Sequence, residues 1–400
     1  MNILTVHNYY RIPGGEDTVV SNETELLKSH GHKVISYNRD NSEYSDLRGA
    51  AKLKKLTLPF VTIFNTRTYK EIKKIISSEK IDVVFVHNTL NLISPAVYYA
   101  AVKCGVPVFQ TIHNYRLLCP GATFYRDGHI CEDCVTKGLG CAYRHKCYRQ
   151  SRVQTLACIM LLKIHRLTGI YSKINYICLT QFGREKLLML RSLGVKIDEK
   201  KVYVKPNFMT ENTNSAENTK SAVDEPYFIY AGRLDSLKGT DFLVRVWKED
   251  MPRLVVCGTG PLEDIFTGAD AKIGTNIEYR GFADHNTVMQ LVAGAKALIL
   301  PTRWYEAFPM SIVEAYSVGT PVIASNIGNT GILVEEGITG YTFRTDDEQS
   351  LYEAVSKIAD ELTHNNLRES TLKTFGEKYT GEKNYEMLMS IIADVSGKDV

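Results

Sequence analysis

No stretch of this 400-residue sequence holds the ~18 consecutive apolar residues that a membrane-spanning helix needs. The opening Met1-Asn-Ile-Leu-Thr-Val6 has no basic region ahead of its short apolar run, so it is expected to form a first strand and not a secretory leader. Cysteine is not scarce, at nine residues, but a chain this long buries its own cores and has no need of disulfide staples. A reducing compartment and a soluble or peripheral cytoplasmic protein are expected. Acid is missing altogether between Asp133 and Glu185, where Lys137, Arg144, Lys146, Arg149, Arg152, Lys163, Arg166, Lys173 and Arg184 all occur. No recognised nucleic-acid motif accompanies that charge, which excludes duplex nucleic acid as the simple reading.

The overall net charge of +3 hides an asymmetry. Residues 1–205 carry 31 Lys/Arg against 16 Asp/Glu, and residues 206–400 carry 17 against 29. Halves of opposite sign point to different partners, with the basic half toward an anionic surface or substrate.

Short runs rich in branched residues alternate with helical spacing along the whole chain. In the first half they predict strands at 3–6, 33–37, 83–86, 106–111, 176–179 and 202–205; in the second, at 227–230, 254–257, 277–280, 297–300, 322–324 and 341–343. Apolar strands followed by amphipathic helices read as α/β, doubly wound parallel sheets, which take ligands at the carboxyl ends of their strands. Residues 210–224 are polar and poor in apolar side chains, and serve as the expected linker. The expected organisation is a Rossmann-like domain over 1–209 with a Cys-rich basic insertion at 119–170, a second over 225–376, and a cleft between them. A final helix within 377–400 is expected to cross back to the first domain.

The most informative segment is Glu306-Ala-Phe-Pro-Met-Ser-Ile-Val-Glu314. Residues 301–309 read as a loop after a buried strand and 310–318 as a helix closed by Gly319, with Pro321 preventing continuation. Glu306 then lies on the loop and Glu314 inside the helix, while the helix start at Phe308, Pro309 and Met310 offers amides to an anionic ligand. Two glutamates at this spacing also arise by chance, so the spacing needs support from elsewhere. Arg233 and Lys238 supply it, since both follow the 227–230 strand in a glycine frame, Gly232 and Gly239. Gly14 and Gly15 follow the first strand and precede a helix, a turn at which backbone amides can approach phosphate or sugar. His113 ends the 106–111 strand with Asn114 after it, and His87 with Asn88 ends the 83–86 strand in the same way. Either histidine could instead be a buried one satisfied by backbone.

These residues resemble a known family. Ala231-Gly-Arg-Leu-Asp-Ser-Leu-Lys-Gly239, Gly258-Thr-Gly-Pro261, Arg280-Gly-Phe, Glu306 to Glu314 and Gly319-Thr-Pro-Val-Ile-Ala324 stand in the order and spacing of family 4 retaining glycosyltransferases with the two-domain GT-B fold. Pro13-Gly-Gly-Glu16, Asp82-Val-Val-Phe-Val-His-Asn88 and Thr111-Ile-His-Asn114 extend the likeness over nearly the whole chain. The resemblance implies transfer of a sugar, with retained anomeric configuration, from a UDP- or GDP-linked donor to a glycan acceptor. It places the donor mainly on the second domain, with His113, Arg233, Lys238 and Glu306 catalytic and Glu314 on the ribose. Gly14, Gly15, Phe308, Pro309 and Met310 complete the donor set, and His87 and Asn88 are acceptor-side candidates. Two fixed cations at the strand mouth stabilise the departing nucleotide diphosphate more in the transition state than in the ground state. No Asp-x-Asp, the motif with which metal-dependent transferases hold a divalent cation, occurs in the sequence, so no catalytic metal is expected. The rival functions are a sugar-nucleotide epimerase of the same fold and a non-catalytic membrane-associated scaffold.

Two further features remain open. Cys119, Cys131, Cys134 and Cys147 have the spacing of a four-thiolate zinc loop, with Cys131-Glu-Asp-Cys134 as the central pair; packed thiols are the alternative. The 152–170 segment is expected to form a helix with one apolar side, Val153, Leu156, Ile159, Leu161 and Leu162, and basic residues near its ends. Such a helix suits either a core or an anionic membrane surface. On the second reading the enzyme sits on the inner face of the cytoplasmic membrane and its acceptor is a polyprenyl-diphosphate-linked oligosaccharide, as in bacterial surface polysaccharide (O-antigen, capsule or exopolysaccharide) assembly.

Overall fold

The computed structural model describes residues 1–10, 14–44, 57–209, 225–268 and 273–397; the expected linker at 210–224 lies outside them. The chain divides into two compact units, Met1–Asn207 with Asn384–Val400, and Phe208–Lys383. Among the described residues, no helix is long and apolar enough to cross a membrane.

The first unit holds strands β1 (Asn2–Tyr9), β2 (Lys33–Asp40), β3 (Val83–Asn88), β4 (Val108–Ile112), the small hairpin β5 (Tyr125–Arg126) and β6 (His129–Ile130), then β7 (Asn175–Cys178) and β8 (Val202–Val204). Six of them form one sheet in the order β2-β1-β3-β4-β7-β8, every neighbouring pair parallel. The strands β3 and β4 are buried along their whole length, as expected where helices cover both faces. The helix Gly381–Ser396 belongs to this core from Asn384 onward, where Leu388, Ile391 and Ile392 pack with Ile3, Leu27, Val83, Phe85, Phe109 and Ile177.

The Cys-rich segment lies between β4 and β7. It carries the hairpin, two short helices (Asp133–Thr136 and Gly140–His145) and the long helix Arg152–Leu167. Cys134, Leu139 and Ala142 pack on Cys158, Ile159, Leu161 and Leu162. That helix is therefore apolar on two sides. Ile159, Leu161 and Leu162 are core, whereas Val153, Leu156, Met160 and Leu167 are exposed. The sequence reading placed all five named apolar residues on one face; the structure separates Val153 and Leu156 from the other three.

The second unit comprises β9 (Tyr227–Ala231), β10 (Arg253–Cys257), β11 (Ile277–Gly281), β12 (Leu298–Leu300), β13 (Val322–Ser325) and β14 (Gly340–Phe343). They form a parallel sheet in the order β11-β10-β9-β12-β13-β14. The strand order reverses between β9 and β12. In an open α/β sheet that reversal opens a crevice at the carboxyl ends of the two strands, where ligands bind. The loops that follow β9 and β12 carry Arg233, Lys238 and Glu306.

Candidate active site

In the second unit the site is built by the loop 232–239. Asp235, only 6 % exposed, accepts a hydrogen bond from the Lys238 amide at 2.9 Å and caps the turn Ser236–Lys238. Its other oxygen accepts from Nε of Arg233 at 2.5 Å. Gly239 closes the turn at φ +71°, and a Cβ there would stand 1.9 Å from the Pro301 carbonyl oxygen. Only glycine allows this close approach of the two backbones. The Arg303 amide donates to the Leu237 carbonyl at 2.9 Å and stitches the loop to the segment after β12.

The consequence is an ion pair between the two loops, with Lys238 Nζ 2.8 Å from Glu306 Oε2. Glu306 is 7 % exposed. Tyr230, Gly232, Pro301, Thr302 and Ser311 line the hollow around the pair. Arg233 is bound to Asp235 but keeps 64 % of its side chain exposed, so it can reach an incoming anion. Phe308 is buried and meets Tyr379 edge to face. Pro309 precedes the helix Met310–Ser317, which starts at Met310. Glu314 lies within that helix. Burial raises its carboxyl above the ordinary value, and nearby His285 partly offsets this.

Asn329 was not anticipated. It is fully buried, and its Nδ2 donates to the carbonyls of Glu306 and Ala307 at 2.6 and 2.7 Å. It sits just beyond β13, and nothing in its own neighbourhood of the sequence marks it; the signal is the loop it braces. Asn329→Ala should leave one buried and one part-buried carbonyl without this donor and cost about 1–3 kcal/mol of stability. It should also raise the KM for the donor more than it lowers kcat, which steady-state kinetics and a melting curve of the same preparation would test. An unchanged melting temperature would show that the brace is dispensable.

In the first unit, His87 and His113 are brought together, His87 Nδ1 to His113 Nε2 at 3.0 Å. Burial, then the neighbouring His87, push the His113 imidazole well below its ordinary value, so it is neutral at physiological pH. Asn88 lines the same hollow as His87 and His113, and its amide is also tied to backbone. Its Nδ2 donates to the Asn8 carbonyl at 2.7 Å and its Oδ1 accepts from the Leu90 amide at 3.0 Å, so both ends of the amide hold backbone. The Gly14–Gly15 turn caps the helix Gly15–Ser29, but the Gly14 amide already donates to Asp17 at 2.9 Å. Asp17 in turn lies 2.7 Å from His7 Nε2.

The cysteine cluster is partly assembled. Cys119 and Cys134 are buried, and their thiols are hydrogen-bonded. That contact, with the amides of Phe124, Gly121 and Ala122, pulls the Cys119 thiol down to about 6. Burial, then the Cys119 charge, pushes Cys147 up to about 11. Among the described residues, no three His, Cys, Asp or Glu side chains are gathered as a metal cage.

Comparison with known proteins fits this architecture. Residues 211–374 match the family described as Glycosyl transferases group 1. An uncharacterized 41.2 kDa protein in the cps region of Klebsiella pneumoniae is 23 % identical over 364 residues, 88 % of each chain. Among solved structures, a glycosyltransferase from Rickettsia africae superposes with a TM-score of 0.68 at 17 % identity, over 99 % of this chain and 98 % of that one. Anabaena HepE in complex with UDP-glucose gives 0.64 at 14 % identity over the full length of both. The chain thus has the two-domain GT-B fold of these structures, and its second unit is the part that is similar to the glycosyl transferases group 1 family.

Proposed function

We propose that this protein is a retaining, metal-independent glycosyltransferase that moves a sugar from a nucleotide-sugar to a glycan acceptor in bacterial polysaccharide assembly. The observation that carries the reading is the Lys238–Glu306 pair at 2.8 Å, held where the second sheet reverses its strand order, with Arg233 beside it. In this reading Arg233 and Lys238 bind the diphosphate, Glu306 binds sugar hydroxyls and Glu314 the ribose diol. His113 is the residue proposed to contact the transferred sugar. The anomeric carbon–oxygen bond to the phosphate breaks, the acceptor oxygen attacks from the same face, and the leaving phosphate takes the acceptor proton. Glu306, held in an ion pair by Lys238, fits a binding role better than that of a nucleophile. HepE was crystallised with UDP-glucose, which favours a UDP-linked donor, and the cps-region relative favours a capsule or related surface polysaccharide. The test is a melting-curve panel of UDP- and GDP-sugars, since a bound donor stabilises the folded state by mass action. Transfer is then assayed with and without acceptor in excess chelator, with the anomeric configuration read by NMR. Conversion of the sugar nucleotide without acceptor would favour an epimerase, and turnover that returns only with magnesium or manganese would remove the metal-independent mechanism.

The acceptor proposed is a polyprenyl-diphosphate-linked oligosaccharide met at the inner face of the cytoplasmic membrane. Its support is the exposed stripe of the Arg152–Leu167 helix, where Val153, Leu156, Met160 and Leu167 stand with Lys163 between them and exposed Lys173 beyond. Arg166 does not belong to that surface, because it is largely buried and donates to the Leu117 carbonyl at 2.7 Å. Lys163→Gln with Lys173→Gln should weaken partitioning onto anionic liposomes ~30-fold, at about 1 kcal/mol for each cation. Added salt should do the same, since such attraction is screened within ~8 Å at physiological ionic strength. Sedimentation with vesicles unchanged from the parent would overturn the membrane reading. A structural zinc on Cys119, Cys131, Cys134 and Cys147 is supported by the contact of Cys119 with Cys134 and the amides aimed at the Cys119 sulfur. Metal analysis of the purified protein tests it: one zinc per chain that is lost in Cys134→Ser supports the site, and a metal-free folded parent disposes of it.

A further inference from the structure

A line of buried charged and polar groups runs behind His113 through the first unit. Lys205 Nζ lies 2.9 Å from Glu23 Oε2 and 2.8 Å from Asn384 Oδ1. Lys205 and Glu23 are each 2 % exposed. The second carboxylate oxygen of Glu23, Oε1, faces His87 Nε2 at 3.4 Å, longer than a good hydrogen bond, and these two buried atoms have no hydrogen-bond partner, so each is the nearest group the other can turn to. His87 Nδ1 then meets His113 Nε2 at 3.0 Å.

The proton placement follows from the donors and acceptors available. An ammonium has only hydrogens to offer and an ionised carboxylate only lone pairs. With Lys205 donating to it, Glu23 is an acceptor toward His87. Where His87 carries a single ring proton, that proton is on Nε2 toward the carboxylate and a bare Nδ1 faces His113, so the shared contact requires the proton on His113 Nε2. The other histidine nearby is turned elsewhere: His7 Nε2 is held by Asp17 at 2.7 Å, and its ring lies edge-on to His87 with centroids 6.3 Å apart.

We infer that Glu23 and His87 are positioning residues for sugar transfer: through them the buried Lys205 cation holds His113 as the Nε2–H tautomer, leaving Nδ1 as a hydrogen-bond acceptor for a sugar hydroxyl. The inference rests on the reading of His113 as a group that contacts the transferred sugar. It goes further by naming the atom that accepts and the residues that keep it an acceptor. A histidine held in the other tautomer would present a donor at Nδ1 and meet the same hydroxyl through its oxygen lone pairs only.

Glu23→Gln tests this with a specific outcome. Lys205 still requires an acceptor, so the new amide turns its oxygen to Lys205 and its NH2 to His87 Nε2. His87 then carries its proton on Nδ1 and donates to His113, which must hold its own proton on Nδ1. Two-bond proton–nitrogen correlation spectra of the ring-labelled full-length protein read the tautomer directly, with His113→Gln identifying the signal. We expect the Nε2–H form in the parent and the Nδ1–H form in Glu23→Gln. Turnover should fall ~100-fold in kcat with little change in donor KM, a loss of the kind a misplaced imidazole proton causes.

A folded Glu23→Gln protein that keeps the parent tautomer overturns the inference, as does a reversed tautomer with unchanged kcat. Should Glu23→Gln fail to fold, His87→Phe decides. Without its fixed neighbour, His113 should populate both tautomers, and a single unchanged Nε2–H signal refutes the coupling. Failure of the functional reading looks different, because His113→Ala would then retain full turnover whatever the spectra show.

Discussion

Replacing Lys238 by Ala should lower kcat/KM for sugar transfer by about two to three orders of magnitude, the ~2–4 kcal/mol lost when an electrostatic donor is removed from a developing charge. Two effects coincide at this position. On the proposed mechanism the leaving diphosphate loses a cation, and Glu306, 7 % exposed and paired with Lys238 at 2.8 Å, is left with an uncompensated charge. Arg233→Ala should give a loss of similar size by the first route alone, because Arg233 is largely exposed and its partner Asp235 retains the Lys238 amide. The two variants are therefore separable by stability. Lys238→Ala should melt lower than the parent, while Arg233→Ala should melt close to it. Near-normal turnover of both under saturating donor would take these cations out of the reaction.

All twelve strands of the two main sheets stand where runs of branched residues put them; inner strands such as β3, β4 and β13 are buried throughout and read as continuous runs, whereas the edge strands β2 and β11 keep polar, exposed positions. The loop 231–239 was legible for a related reason. Its glycines answer to backbone geometry, as at Gly239 against Pro301, and its cations stand next to them in the chain. Contacts between distant segments were not legible. Asn88 follows a strand and precedes a loop, and nothing in that position shows that its amide also braces Asn8 and Leu90. Arg166 reads as one more surface cation until Leu117 is seen beside it. The 152–170 helix offered core or surface as alternatives. Both hold, on different faces, because a lone helix's periodicity shows which residues are apolar and not which of them find a neighbour. Lys205 and Glu23 stand 182 residues apart, and no local pattern marks either as buried.

Lys205→Met should destabilise the first unit by about 3–5 kcal/mol, the usual consequence of removing one member of a buried ion pair. For a unit of this size that is a fall of ~6–20 °C in melting temperature. Burial alone would raise the Glu23 carboxyl; the Lys205 ammonium, with His87, overrides it and holds the carboxyl well below the usual carboxylate range. A carboxyl depressed in the folded state adds stability that is complete above its unfolded value of ~4.3 and disappears as pH falls below it. In Lys205→Met only burial and His87 remain, so the folded Glu23 takes up a proton at higher pH than in the parent. The variant is then relieved on acidification while the parent is not, and the gap in stability between them should narrow steadily from pH ~7.5 to ~4.5. Glu23→Gln added to Lys205→Met should recover much of the loss, because no charge is then left buried, giving a strongly non-additive double-mutant cycle. Denaturant unfolding at several pH values measures all of this. A gap that stays constant over that range, or single losses that simply add, would mean the pair contributes through packing and not through charge.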